Sequence, residues 1–140
     1  MNILVDTCIW SLALRRSIPQ DTSEIKELRE LVGEQRILLL GTVRQEMLSG
    51  IREETQFLSL RDRLRAFPDV QQEQVDFECA ADYFNACRKK GIQGSNTDFL
   101  ICAVATRLKT PIFTTDADFI SFSRLLPITL HSARAKYSLS

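Results

Sequence analysis

Residues 3–10 read ILVDTCIW: three strand-forming apolar residues, Ile3, Leu4 and Val5, run directly into a carboxylate and then into a second amphipathic stretch. A carboxylate at the mouth of a buried strand is costly to desolvate, so Asp6 either caps the next element or binds something. The strand before it is apolar on both faces, which suits a parallel sheet covered by helices on both sides.

The rest of the chain repeats that alternation. A helix is expected over residues 7–15, with Pro19 breaking it or following its end. Residues 21–32 place Ile25, Leu28, Leu31 and Val32 at helical spacing, with Gly33 as a stop. RILLLG (36–41) is a second two-sided apolar strand. TVRQEMLSGI (42–51) is a helix, with Thr42 and Gln45 spaced as a capping box and Gly50 near its end. Residues 53–67 continue helical until Pro68, and DVQ (69–71) is a weak edge strand. Residues 74–90 form a long helix with Phe77, Ala80, Ala81, Phe84 and Cys87 on one face, ended by Gly91. A further helix spans 96–109, PIFTTD (111–116) is a strand ending in acid, and PITLH (127–131) is the last strand. The pattern predicts one α/β domain over 1–140, a three-layer α/β/α sandwich with a mainly parallel, roughly five-stranded sheet.

Composition narrows the function. With 44% hydrophobic and 26% charged residues, the chain is neither disordered nor of low complexity. No apolar run approaches the roughly 20 residues of a membrane span, and no basic region precedes a long apolar stretch, so a cytoplasmic location is expected. Net charge is zero, so a nucleic-acid partner needs local basic patches. Arg61, Arg63 and Arg65, the run Arg88, Lys89 and Lys90, and the tail with Arg134 and Lys136 are the candidates, each also readable as a solvated face. Cys8, Cys79, Cys87 and Cys102 form no CxxC pair, which argues against zinc or disulfides and for small buried hydrophobes. With a single histidine, His131, triad chemistry and His-rich metal sites are poor readings.

Ligands of such sheets bind at the carboxyl ends of the strands, near the point where strand order reverses. Asp6 ends the first strand, and Asp116 ends the IFTT strand with Asp118 two residues on. Glu46 and Asp98 lie in early turns of the helices that follow RILLLG and precede IFTT. Each acid alone has an ordinary structural explanation: Ser95 and Asp98 match a capping box, and TTDADF can start a turn. Together they can line one rim. Carboxylates gathered at ~4–6 Å repel unless protons or a cation intervene. An all-oxygen acidic site suits Mg²⁺ or Mn²⁺, which activate water against a phosphodiester. A nuclease is the natural reading.

The motifs now match a known family. ILVDTCIW, TVRQEMLSGI, NTDFLICAVA and PIFTTDADF, in that order over nearly the whole chain, resemble a PIN domain, specifically a VapC-type toxin ribonuclease of a type II toxin–antitoxin pair. The resemblance implies an endoribonuclease using Mg²⁺ or Mn²⁺. It makes Asp6 and Asp98 the main metal ligands, adds Glu46 directly or through water, and has Asp116 hold or orient a metal-bound water. Asp118 shares or replaces the role of Asp116, and Thr7 and Thr115 serve as hydrogen-bonding supports. Cys8 stands where the family often has a small polar residue. The resemblance also implies a VapB-like antitoxin in an apolar groove and a homodimeric toxin; Ile9, Trp10 and Leu12 are groove candidates, with burial in the core as the alternative.

Three rivals remain. A PIN-like nuclease acting on another nucleic acid would keep the same acids. A Mg²⁺-binding phospho-acceptor signalling domain needs adjacent acids after the first strand and a Lys at the end of a late one, where this chain has Thr7, Thr115 and Asp116. A PIN-like scaffold used only for binding would have lost acids that are all present.

Overall fold

A computed structural model describes residues 1–14 and 22–134. The expected helix end at Arg15, the break at Pro19, the helix start at Asp21 and the basic residue Lys136 lie outside the described residues. Elements alternate as the apolar pattern requires. They are β1 (Ile3–Val5), α1 (Thr7–Leu14), α2 (Ser23–Gly33), β2 (Ile37–Leu40), α3 (Gly41–Leu48) and α4 (Glu54–Leu64), then β3 (Asp69–Val70), α5 (Gln74–Lys89), α6 (Asn96–Leu108), β4 (Ile112–Phe113) and α7 (Asp118–Leu125).

The sheet is parallel throughout, in the order β3-β2-β1-β4. Ile3 pairs with Ile37, Leu4 with Ile112, and Leu39 with Asp69. The chain builds outward from β1 through β2 to β3, then crosses back to place β4 on the other side of β1. Strand order therefore reverses at the β1/β4 boundary, where parallel sheets open a crevice. The architecture is the expected α/β fold with a parallel sheet flanked by helices. The last expected strand, PITLH, contributes only a parallel bridge between Ile112 and Leu130, so four strands and one bridge stand where roughly five strands were expected. Pro127 has no N–H, and the segment closes just two backbone hydrogen bonds with Ile112, from the Ile112 N–H to Thr129 and from the His131 N–H to the Ile112 carbonyl.

The core lies on both faces of β1, whose three residues are fully buried. Helix α6 is buried from Phe99 to Ala105, all round its axis, as suits a helix packed between sheet and neighbours. It ends at Lys109, which takes a left-handed φ of 55°. One local expectation fails. The Thr42/Gln45 capping box does not form: α3 starts at Gly41 straight from β2 with no side-chain cap, and the Thr42 hydroxyl is buried without a partner among the described residues. Helix α2 ends at Gly33, the expected stop, and a left-handed conformation falls beyond it on Gln35 (φ 56°). On α5 the apolar face is only partly covered, since Phe77 and Ala81 are exposed while Asp76 and Cys87 are buried.

Two buried carboxylates away from the crevice are structural. Glu27, fully buried on α2, takes His131 at 2.5 Å and Arg134 at 2.8 Å. Burial works against its charge, but the hydrogen bonds from Arg134 and His131 outweigh it and hold Glu27 below its ordinary range. Asp76 receives a two-pronged bond from Arg107 at 2.7 and 2.9 Å. His131, edge-on to Phe113, is thus a structural residue. The basic candidates are partly engaged: Arg61 and Arg65 pair with Asp62, Arg134 bridges Glu27 and Glu34, and Arg88 stacks over Phe84.

Candidate active site

The crevice at the β1/β4 boundary is a cleft of about 420 Å³ lined by Asp6, Thr7, Cys8, Ser11, Leu12, Glu46, Asp98, Thr115 and Asp116. Each acid reaches it from a different element. Asp6 follows β1, Glu46 lies on α3, Asp98 is in the first turn of α6, and Asp116 follows β4. Asp118, the first residue of α7, is exposed and does not line the cleft; its N–H donates to Asp116 Oδ1 at 2.9 Å. That bond closes the turn that starts α7.

The local structure orients Asp98 and Glu46 through one oxygen each and Asp6 through both. Asp98 closes the expected capping box: Oδ2 accepts the Ser95 N–H at 3.1 Å while the Asp98 N–H donates to Ser95 Oγ at 3.0 Å. The cap and the cleft are compatible, because the box leaves Oδ1 without a donor among the described residues. Glu46, exposed on α3, accepts the Thr7 hydroxyl on Oε2 at 3.1 Å, so Thr7 supports a carboxylate as expected. Asp6, only 5% exposed, takes three donors: the Thr7 N–H on Oδ1 at 2.7 Å, and on Oδ2 the Thr114 hydroxyl at 2.8 Å and the Cys8 thiol at 3.4 Å.

One participant escapes the sequence reading. Thr114 joins Asp6 to Asp116, since its oxygen also accepts the Asp116 N–H at 3.0 Å. The T-T-D run at the strand end is its only signal, and in an alternating strand nothing says which threonine points to Asp6. Thr115, the one singled out, contacts Cys8 Sγ instead, through both its N–H and its hydroxyl. Cys8 is half-buried and polar in its contacts, unlike the buried Cys87 and Cys102. All four thiols are free.

Electrostatics give the cleft its character. Burial pushes Asp6 above the ordinary aspartate value, against the lowering by Thr114, Thr7 and Cys8, and the charge of Asp116 adds to the rise. Asp98 is raised by burial and then by the charges of Asp6 and Asp116. Such mutual repulsion is relieved by a proton or by a cation. Among the described residues, no group of three or more His, Cys, Asp or Glu side chains is drawn together at metal-holding distance, so the acids border an open cleft and not a closed cage. The donor set, four carboxylates and no imidazole, still fits a hard divalent ion that keeps waters and takes further ligands from phosphate.

Solved structures share this fold. VapBC2 from Rickettsia felis bound to a DNA fragment from their promoter matches with a TM-score of 0.75 at 19% identity, over 94% of this chain and 98% of that one. FitAcB from Neisseria gonorrhoeae matches at 0.74 and 18%, over 94% and 97%. VapBC-1 from nontypeable Haemophilus influenzae matches at 0.73 and 14%, over 94% and 98%. No curated protein matches the sequence. Among the described residues no helix is long and apolar enough to cross a membrane. The family model for the PIN domain matches residues 3–125, from β1 to the end of α7, and with it the acids of the cleft: the chain belongs to the PIN domain family of nucleases.

Proposed function

We propose that the chain, as one nuclease unit over residues 1–140, is the toxin of a VapBC-type toxin–antitoxin pair, an endoribonuclease dependent on Mg²⁺ or Mn²⁺. The observation that carries the reading is the convergence of Asp6, Glu46, Asp98 and Asp116 on one cleft at the carboxyl ends of β1 and β4. PIN nucleases generally use divalent metal ions. Such an ion, when bound, lowers the pKa of water for attack on a phosphodiester and offsets the charge that develops. The chain's own residues do the placing. Asp6 and Asp98 would hold the ion, and Glu46 would complete the acidic rim from α3, steadied by Thr7. Asp116, fixed by Thr114 and the α7 turn, orients water at the rim. Thr115 supports Asp6 through Cys8.

A VapB-like antitoxin and a homodimeric, cytoplasmic toxin complete the proposal. The antitoxin reading is supported by an apolar cavity of about 560 Å³ between α1, α2 and α4, lined by Trp10, Leu14, Leu28, Leu60 and Phe67 among others. The Trp10 indole N–H is buried with no hydrogen-bond partner among the described residues. Of the groove candidates, Ile9 is core, Trp10 lines this cavity and Leu12 borders the acidic cleft.

The test incubates purified, antitoxin-free protein with single-stranded RNA, total RNA and DNA, with Mg²⁺, Mn²⁺ or EDTA, beside Asp6→Asn and Asp98→Asn. RNA cleavage that needs the ion and vanishes in both variants is the expected result. Cleavage of DNA alone would move the chain to another nuclease class, and variants that cut like wild type would sink the acidic-cleft reading.

A further inference from the structure

Cys8 stands two residues from Asp6, and nothing in the proposed chemistry calls for a thiol there. Yet Sγ makes four polar contacts. It lies 3.4 Å from Asp6 Oδ2 and 3.2 Å from Thr114 Oγ1, and it receives the Thr115 N–H at 3.3 Å and the Thr115 hydroxyl at 3.4 Å. Thr114 and Thr115 come from the far side of the strand-order reversal, so the thiol ties the end of β1 to the loop after β4.

Counting protons sets the direction of each bond. Thr114 has one hydroxyl proton, which goes to Asp6 Oδ2 at 2.8 Å, while its oxygen accepts the Asp116 N–H. Thr115 donates to Sγ twice, so the sulfur is an acceptor there, and its own single proton is shared between Thr114 Oγ1 and Asp6 Oδ2, of which the ionised carboxylate is the stronger acceptor. A carboxylate offers about four lone-pair directions. Thr114 and Cys8 occupy Oδ2, and the Thr7 N–H takes one direction on Oδ1. One direction remains, on Oδ1.

We infer that Cys8 is a positioning residue: its thiol passes a hydrogen bond from Thr115 to Asp6, saturates Oδ2 together with Thr114, and leaves Oδ1 as the Asp6 oxygen open to a divalent cation. The inference rests on the cation-binding reading of the cleft. It also gives this chain a reason to carry a thiol where a small polar group would serve the same bonds.

Two substitutions separate bonding from bulk. Cys8→Val keeps the size and removes donor and acceptor; Cys8→Ser keeps both. Mn²⁺ binding to the purified full chain, followed by the loss of the free-ion paramagnetic resonance signal, is expected to weaken about 10–100-fold in Cys8→Val and to stay within roughly threefold of wild type in Cys8→Ser, the usual range for groups that orient a ligand. Circular dichroism confirms that both variants are folded. Wild-type affinity in Cys8→Val would overturn the inference, and so would a serine variant as weak as the valine one. An independent readout needs no metal: the infrared S–H band lost in Cys8→Ser belongs to Cys8. It is expected to rise in frequency in Asp6→Ala as its acceptor disappears, and an unmoved band would overturn the bridge. If wild type binds no Mn²⁺, the cation reading of the cleft fails, while the S–H band still decides whether Cys8 bonds to Asp6.

Discussion

The Thr114 hydroxyl donates to Asp6 Oδ2 at 2.8 Å across 108 residues of sequence, and its oxygen takes the Asp116 N–H in the same stroke. One side chain therefore sets two acids. Thr114→Val keeps the shape and deletes both bonds. Cleavage of RNA by this variant is expected to fall about 10–100-fold, with a matching loss of Mn²⁺ affinity and an unchanged circular dichroism spectrum. Full activity would show that Asp6 needs no orienting donor.

Asp116 and Asp118 separate in space although they are neighbours in sequence. Only Asp116 lines the cleft; Asp118 is exposed at the start of α7. Asp116→Asn is expected to cost at least about 100-fold in cleavage rate, and Asp118→Asn no more than about threefold, because only the first removes charge from the reacting centre. The reverse order would exchange their roles.

Added Mn²⁺ should stabilise the protein more at about pH 7.5 than at about pH 5. Burial and neighbouring acids raise Asp6 and Asp98 above their unfolded value of 3.8. A raised carboxyl contributes stability that is complete below the unfolded value and is lost as pH rises through the folded one. The cation replaces the missing protons, so its benefit grows in that same direction. At a hundredfold excess over its dissociation constant it is worth about 2.7 kcal/mol. Thermal melts with and without Mn²⁺ at the two pH values test this; a larger shift at the acid end would refute it.

Glu27 presents the opposite sign. Held low by Arg134 and His131 despite its burial, it contributes stability that is present above its unfolded value of 4.5 and is lost as pH falls through the lower folded value. Replacing both partners, Arg134→Met with His131→Phe, strands a buried charge and should cost roughly 3–5 kcal/mol in urea unfolding at neutral pH. Adding Glu27→Leu should recover most of that loss. If the third substitution brings no recovery, packing and not the stranded charge explains the damage.

Gly94 is required by close approach. A Cβ there would sit 2.6 Å from Phe122 Cζ and 2.9 Å from Phe99 Cε2, and both rings are buried in one aromatic cluster with centroids 4.8 Å apart. Gly94→Ala is expected to destabilise by about 1–3 kcal/mol, as overpacking does. Because residue 94 also leads into the Ser95 cap that fixes Asp98, Mn²⁺ affinity should fall with it. An unchanged denaturation midpoint would mean that the rings move aside freely.

Much of this was legible in the chain itself. Ile3, Leu4 and Val5 announced a strand buried on both faces, and all three are fully buried. Ser95 and Asp98 announced their capping box, a contact closed within four residues. The failures share a cause. Thr42 and Gln45 have the spacing of a cap, but α3 begins one residue earlier, directly out of β2, so the hydroxyl has no orphan N–H to serve. PITLH has strand composition, yet it meets the sheet at one bridge. Phe77 and Ala81 sit on an apolar helix face and are exposed all the same.

Local pattern specified the alternation of strands and helices and the placing of acids at element ends, because those depend on period and on the cost of burying charge, which neighbours along the chain set. The position of β1 between β2 and β4 came from the packed sheet alone. That order brings Asp6 and Asp116 to one cleft, sends Thr114 to Asp6 and Thr115 to Cys8, and leaves Asp118 outside. Hydrogen bonds that span more than a hundred residues exist only once the strands have chosen their neighbours, and no local pattern encodes which of two adjacent side chains will face the partner.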